Sequence, residues 1–144
     1  MSNPFEMEEA CPRSMTIRRA GTSIASAPDG VANDRFLVQM LLSSRTDGEM
    51  TAMRAFLEPG TITHWHSHPH GQLLFVLDGV GLVQRDGGAV TEVRAGDAVW
   101  FAAGERHWHG ATPVSPFSYV SVQCVENGTA VQWMEPVEQE RTRP

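Results

Sequence analysis

Cysteine and long apolar runs are both scarce in this chain of 144 residues. Its two cysteines, Cys11 and Cys124, form no CxxC pair and have no neighbouring histidine, so they indicate neither a disulfide framework nor a cysteine-based metal site. No stretch approaches the ~20 apolar residues of a membrane span. The acidic opening MSNPFEMEEA lacks the apolar core of a signal peptide. We therefore predict a cytoplasmic protein without a membrane partner.

A net positive charge and helical periodicity are also missing. The net charge of -6 argues against nucleic acid as a partner, because nothing here would neutralise phosphates in bulk. Between Thr16 and Val131 no apolar pattern repeats with the helical period, and there is neither an internal repeat nor a low-complexity linker. We predict a single domain over residues 16–135, flanked by a disordered N-terminal tail (1–15) and a C-terminal tail (136–144).

What the chain does contain is a series of short apolar and β-branched segments separated by turn signals. The predicted strands are RFLVQMLLS (35–43), EMTAMRAFLE (49–58), QLLFVLDG (72–79), GLVQRDGG (81–88), AVTEVRAG (89–96), DAVWFAAG (97–104) and FSYVSVQCVE (117–126). Positive-φ turns are predicted at Asp78-Gly79, Asp86-Gly87-Gly88, Gly96-Asp97 and Asn127-Gly128. Many short strands in a chain of this size predict an all-β sandwich or barrel.

All six histidines lie in two short clusters, HWHSHPHGQ (64–72) and HWH (107–109). Residues i and i+2 of a strand share a face, so His66 with His68, and His107 with His109, can point into a barrel together. An isolated histidine is usually a surface residue or a hydrogen-bonded core residue. Four buried neutral imidazoles without a common partner would each cost about 1–3 kcal/mol, and a divalent metal removes that cost. We therefore predict a metal site.

These residues also resemble the motifs of the cupin superfamily. Gly60-x5-His66-x-His68-x3-Gln72-x6-Gly79 is similar to the first cupin motif, and Gly96-x5-Ala102-x-Gly104-x2-His107-x3-Ala111 is similar to the second. The resemblance covers residues 50–125 and implies an all-β double-stranded β-helix (jelly-roll) barrel. It also implies a metal held by His66, His68, Gln72 and His107.

The chain departs from the cupin motifs at three positions. Gln72 stands where most cupins have Glu, Ala102 where they have Pro, and Ala111 where they have Asn. A glutamine ligand adds no charge, so three imidazoles and an amide would leave the metal its full +2 and favour Lewis-acid work. The alternative is that Gln72 is a polar wall residue beside a three-histidine metal. Mn, Fe, Ni and Zn all suit such ligands.

A narrower resemblance is to small single-domain bacterial cupins that include manganese-dependent hydroxynitrile lyases, which favours Mn. It rests on EPGTITHWHSHPHGQ, VQRDGGAVTEVRAGDAVWFAAGERHWHGATP and VQWMEPV. It implies that His109 is a proton-transferring pocket residue and that Trp108 points outward. The alternative for His109 is an orienting role behind the ligands. Tyr119 stands where the lyases can carry another histidine.

Strand parity extends the predicted pocket. Tyr119, Ser121 and Gln123 share one face of their strand, and the resemblance turns that face toward the metal, although such a face is commonly just solvated. We therefore predict Tyr119 and Gln123 as catalytic residues beside His109. The other predicted pocket residues are Met53, Ala55, Leu57, His64, Leu74 and Val76.

Three functions fit this site. The favoured one is a metal-dependent lyase acting on a small hydroxylated or carbonyl substrate, such as a cyanohydrin. The others are an Fe(II) dioxygenase and a non-catalytic small-molecule-binding cupin, because fold and site together permit many reactions. A homodimer is also predicted, with residues 16–42 adding strands across the interface.

Overall fold

The computed structural model describes residues 8–138, which fold into ten β-strands; within them no helix is long and apolar enough to cross a membrane. The strands are β1 (Ile24–Ser26), β2 (Leu37–Leu42), β3 (Met50–Leu57), β4 (His66–Ser67), β5 (Gln72–Arg85), β6 (Thr91–Arg94), β7 (Ala98–Phe101), β8 (His107–Ala111), β9 (Phe117–Cys124) and β10 (Gln132–Trp133). Each of the seven predicted segments lies on a strand, but two of them, 72–79 and 81–88, belong to the single strand β5. The all-β prediction is confirmed.

The strands pair antiparallel in the order β1-β2-β3-β9-β5-β8-β4-β10, with β6 and β7 also paired to β5. The long strand β5 connects the two faces of the barrel. Its first half pairs with β7 and β9, and its second half pairs with β6 and β8. Because β5 serves both faces, the histidine strands β4 and β8 lie across the interior from β3 and β9.

The predicted turn at Asp78-Gly79 is wrong, because β5 continues through it. Gly79 does have a positive φ of 79°, and the pairing with β9 shifts register between Val76 and Asp78. A Cβ at Gly79 would lie 1.9 Å from the Pro116 carbonyl oxygen, so only glycine fits there. The positive φ bends one strand from one sheet into the other instead of ending it.

Two apolar clusters lie on opposite sides of the histidine strands. The interior cluster includes Phe117 and Tyr119. The second surrounds Trp108, which is completely buried and donates a hydrogen bond from Nε1 to Gln84 Oε1 at 2.8 Å. Val137, from the predicted C-terminal tail, packs in this second cluster. Trp108 therefore faces away from the interior, as strand parity requires with His109 facing inward.

The predicted N-terminal tail lies only partly within the described residues. Residues 1–7 and 139–144 lie outside them. The described part, 8–15, is attached to the barrel: the amide of Glu8 donates to Ser43 Oγ at 3.1 Å, and that of Cys11 donates to Glu49 Oε1 at 2.9 Å. The segment thus supplies donors to polar groups between β2 and β3, and the extent of the disordered tail stays a prediction.

The outer face of β5 and β7 exposes apolar side chains. Leu73, Phe75 and Trp100 are 44%, 45% and 61% exposed, and the pairing sets Leu73 directly opposite Trp100. A contiguous apolar face of this kind suits a protein interface. The homodimer stays a prediction, and the molar mass in solution checks it.

Candidate metal centre and cavity

Two adjacent strands and the loop beside them bring the histidines together. His66 on β4 pairs directly with His107 on β8, and His109 follows two residues later on the same face. His68 lies in the loop before β5, and Gln72 is the first residue of β5. The sequence prediction that these five side chains meet agrees with their placement. All five are at least 96% buried, with exposures from 0% to 4%.

Three of the histidines have their Nδ1 atom fixed by a backbone carbonyl. A carbonyl oxygen can only accept, so each Nδ1 carries the proton and each Nε2 keeps its lone pair. The three contacts are His66 Nδ1 to His64 O at 2.8 Å, His68 Nδ1 to Ala130 O at 2.7 Å and His107 Nδ1 to Glu105 O at 2.9 Å. This outer support fixes both tautomer and ring orientation, as it commonly does for metal-binding histidines.

The free lone pairs meet the amide oxygen of Gln72. His107 Nε2 lies 3.2 Å from Gln72 Oε1, and with the proton on Nδ1 neither atom can donate. His68 Nε2 is buried and meets no hydrogen-bond criterion within the described residues, although the Gln72 side chain lies close to the ring. The ring centroid of His66 lies 4.3 Å from that of His107 and 5.2 Å from that of His68. The Nε2 lone pairs and the Gln72 oxygen thus lie close together with no proton between them. Neutral nitrogen and oxygen atoms in this arrangement are suitable ligands for a divalent transition metal.

Burial keeps these imidazoles uncharged. It lowers the pKa of His68 to about 4 and that of His107 to about 3. Burial, followed by the neighbouring His109, also holds the pKa of His66 well below its ordinary value. Near neutral pH the three rings are therefore neutral and available as ligands.

These pKa shifts predict that the chelated protein loses stability in mild acid. The unfolded histidines have a pKa of about 6.5, so on acidification the unfolded state binds protons before the folded state does. Above pH 6.5 these histidines leave the free energy of unfolding unchanged. That free energy decreases as the pH falls from 6.5 toward the folded-state pKa values of about 4 and 3. At pH 5, His68 and His107 should each lower the free energy of unfolding by about 2 kcal/mol. Urea unfolding of the chelated protein at pH 7.5 and pH 5 measures this, and equal stability would contradict it.

His109 differs from the other three histidines. Both of its ring nitrogens are buried without a hydrogen bond, and burial holds its pKa well below the ordinary value. Among the described residues, His66, His107 and His109 form the trio whose potential ligand atoms all lie within 4.8 Å of one another. His109 is thus close enough to His66 and His107 to share a metal ion with them.

Tyr119 contacts His109 from the opposite sheet. Their rings meet edge to face with centroids 5.0 Å apart, and the Tyr119 hydroxyl is buried without a hydrogen bond. Burial raises the pKa of Tyr119, so the phenol stays protonated. It can therefore donate a hydrogen bond to a molecule in the interior.

A cavity of about 310 Å³ opens beside these groups. His66, His68, Gln72, His109 and Tyr119 form its polar end. None of the described residues that line it is an acid, a lysine or an arginine. Its apolar wall includes Val31, Phe36, Val38, Met40, Met53 and Trp133. The cavity suits a small uncharged molecule with an apolar portion.

Most of the predicted pocket residues do not line this cavity. Met53 does, but Ala55, Leu57, Leu74 and Val76 lie in the interior apolar cluster instead. Strand parity gives the face of the sheet on which these four side chains lie, and that face is the inner one. It does not give their distance from the cavity, which depends on how the strands pair. His64 is half-buried outside the cavity, and its carbonyl supports His66.

The prediction missed the wall that the chain termini provide. Residues 27–40 and 128–133 contribute to the lining. Trp133 pairs with His66 through β10 and β4, and their ring centroids lie 4.5 Å apart. Neither segment has a motif signal, although the Trp in VQWMEPV belonged to the narrower resemblance.

Gln123 faces the site as predicted, but its amide is fully engaged. It accepts from Gln72 Nε2 at 3.1 Å and donates to Thr51 Oγ1 at 2.7 Å and to the Thr51 carbonyl at 3.2 Å. Thr51 was not predicted, because only the pairing of β3 with β9 places it opposite Gln123. Gln123 therefore contacts a candidate ligand on one side and the sheet backbone on the other.

Comparison with known proteins agrees with this geometry. A family model described as a cupin domain matches residues 53–123. Over 86 residues the chain is 51% identical to the (R)-mandelonitrile lyase of Granulicella tundricola. The matched segment is 60% of this chain and 66% of that protein. The chain thus matches slightly less than two thirds of that relative's length.

Solved structures show the same architecture. A cupin-like protein from Thermotoga maritima superposes with a TM-score of 0.74 at 29% identity, covering 83% of this chain and 90% of that one. A polyketide cyclase from Streptomyces resistomycificus superposes with a TM-score of 0.68 at 20% identity, covering 89% and 91%. The predicted double-stranded β-helix is confirmed, and the chain contains a match to the cupin domain over residues 53–123. Among cupins, it resembles the hydroxynitrile lyases.

Proposed function

We propose that this protein is a metal-dependent enzyme that acts on a small hydroxylated or carbonyl substrate, with cyanohydrin cleavage and formation as its reaction. The observation that carries the proposal is the contact between two acceptors, His107 Nε2 and Gln72 Oε1, 3.2 Å apart, where Gln72 lies at the polar end of an apolar cavity. The similarity to a mandelonitrile lyase supports the choice of reaction.

We assign the metal to His66, His68, Gln72 and His107. In the three histidines the Nδ1 proton is committed to a backbone carbonyl, so Nε2 is the atom left to bind. Manganese is the metal that the resemblance to hydroxynitrile lyases favours, and Fe, Ni and Zn accept the same ligands. With four neutral ligands, the bound cation supplies Lewis-acid polarisation of a substrate oxygen.

His109 is the proposed base. Its ring is neutral because burial depresses its pKa, and both nitrogens are free of hydrogen bonds. It takes the hydroxyl proton of the cyanohydrin while the C–CN bond breaks, and the electrons of that bond leave with cyanide. The remaining carbon and oxygen form the aldehyde, and the proton passes from His109 to cyanide to give HCN. No further reactant is required.

Tyr119 and the apolar wall position the substrate. The protonated Tyr119 hydroxyl, which has no hydrogen-bond partner within residues 8–138, donates to the departing cyanide. Phe36, Met40 and Met53 on the cavity wall accommodate the apolar substituent of the aldehyde. The wall has no charged side chain among the described residues, which disfavours an ionic substrate.

Elemental analysis of the unchelated protein and an assay of mandelonitrile cleavage test this function together. We expect a bound divalent transition metal, aldehyde release that a chelator abolishes, and recovery of activity when Mn²⁺ is restored. A metal with oxygen uptake but no cyanide release would replace the lyase with a dioxygenase. A metal without turnover of any candidate would leave a binding protein.

A further inference from the structure

The amide of Gln72 has a defined orientation, and neighbouring residues explain it. Its oxygen lies 3.2 Å from His107 Nε2, while its nitrogen donates to Gln123 Oε1 at 3.1 Å. The reverse orientation would place the Gln72 NH₂ group among the histidine lone pairs and its oxygen against the oxygen of Gln123. The orientation of the Gln72 amide therefore depends on the orientation of the Gln123 amide.

Gln123 is held by the backbone carbonyl of Thr51, which can only accept a hydrogen bond. Its Nε2 donates to the backbone carbonyl of Thr51 at 3.2 Å and to Thr51 Oγ1 at 2.7 Å. A backbone carbonyl has no proton to donate, so it must face the NH₂ group of Gln123. Oε1 of Gln123 is then left to face Gln72.

The sheet places the three residues side by side. Thr51 on β3 pairs with Gln123 on β9, which pairs with Gln72 on β5. Their exposures are 3%, 8% and 2%, so these hydrogen bonds are largely shielded from bulk solvent. Donation runs in one direction, from Gln72 through Gln123 to the fixed carbonyl of Thr51, and this leaves the Gln72 oxygen facing the histidine cluster.

We propose that Thr51 and Gln123 are positioning residues that aim the Gln72 oxygen at the cation and require an amide at position 72. A carboxylate there would set an acceptor against Gln123 Oε1, and Gln123 could turn away only by facing its own oxygen toward the Thr51 carbonyl. The statement that the Gln72 oxygen faces a cation rests on the proposed metal-dependent function. The hydrogen bonds from Gln72 to Gln123 and from Gln123 to Thr51, which we call the relay, are present in the metal-free protein as well. Gln123 thus acts through Gln72 and is not itself a catalytic residue.

A double-mutant cycle tests the relay with Gln72→Glu, Gln123→Met and the combined variant. Gln123→Met keeps the side-chain length and removes the opposing acceptor. The dissociation constant for Mn²⁺ is measured in all four proteins by chelator competition. We expect the affinity gained from Gln72→Glu to be about tenfold larger in the Gln123→Met background than in the wild type, because the conflict is relieved there. Equal gains in both backgrounds would overturn the proposal.

Urea unfolding of the same four chelated proteins separates the relay from the metal. If Mn²⁺ fails to bind any of them, the proposed function fails, while the relay still predicts that Gln72→Glu costs less stability in the Gln123→Met background than in the wild type. Additive costs in the chelated proteins would show that no relay exists. Gln39→Leu is the matched control, since Gln39 is equally buried and donates to the Arg19 carbonyl at 2.8 Å, away from the histidines. It should lower stability without changing the Mn²⁺ affinity.

A measurement on the wild-type protein covers the case in which a variant does not fold. In the chelated, ¹⁵N-labelled protein, the side-chain NH₂ groups of Gln72 and Gln123 should exchange with solvent much more slowly than that of the exposed Gln132. Exchange as fast as that of Gln132 would mean that the amides are not held, and the proposal would fall.

Discussion

His107→Ala is expected to raise the dissociation constant for Mn²⁺ at least about a hundredfold and to remove most of the stabilisation that the metal provides. His107 lies at the centre of the site, because it pairs with His66, faces Gln72 and stacks on Phe101 at 3.6 Å between ring centroids. At a metal concentration of about 100 times the wild-type dissociation constant, the wild type should gain about 2.7 kcal/mol and the variant about 0.4 kcal/mol.

The informative quantity is the difference between metal-loaded and chelated protein, measured for each variant separately. His107→Ala also loses the stacking on Phe101, which lowers the stability of the chelated form and cancels in that difference. His70→Ala is the matched control, since His70 is exposed in the loop before β5 and lies 3.9 Å from Glu126. Equal metal stabilisation in His107→Ala and wild type would remove His107 from the ligand set.

His109→Phe is expected to keep the metal and to lower kcat/KM for cyanohydrin cleavage by about 10²–10⁴-fold. The substitution keeps an aromatic ring against Tyr119 and removes both nitrogens, neither of which has a hydrogen-bond partner among the described residues. The loss should appear in turnover, while the metal content and the fold remain those of the wild type. Steady-state kinetics with elemental analysis of the same sample measures both.

The same variant also decides between the two roles that geometry allows His109. Because His66, His107 and His109 have ligand atoms within 4.8 Å of one another, loss of metal from His109→Phe would make His109 a ligand. Retention of metal with full activity would remove its role as a base. The His70→Ala control should leave both readouts unchanged.

Local patterns in the sequence predicted the faces of the strands and the grouping of the histidines. Phe117, Tyr119, Ser121 and Gln123 alternate with half-buried residues along β9, as the period of two requires. The spacing of the two histidine pairs gave their common direction. Both inferences depend only on neighbours within a strand, where geometry is fixed by the backbone.

What could not be predicted depends on pairing between distant segments. The positive φ of Gly79 was foreseen, but whether it ends a strand or bends one depends on the approach of the Pro116 carbonyl from another loop. Leu74 and Gln72 lie on the same face of β5, yet only Gln72 reaches the cavity, because the register with β9 sets depth. Thr51 could be placed beside Gln123 only from the register of β3 with β9.

The carbonyl of Ala130, between β9 and β10, has a consequence for how this protein could diversify. The stretch 128–131 forms one side of the cavity and also fixes the His68 ring through that carbonyl. An insertion or deletion there would reshape the space offered to a substrate and re-aim an imidazole in the same event. A change in this stretch would therefore alter both the shape of the cavity and the orientation of His68. Substitutions at Met40 or Met53 would alter the cavity and leave the histidines in place.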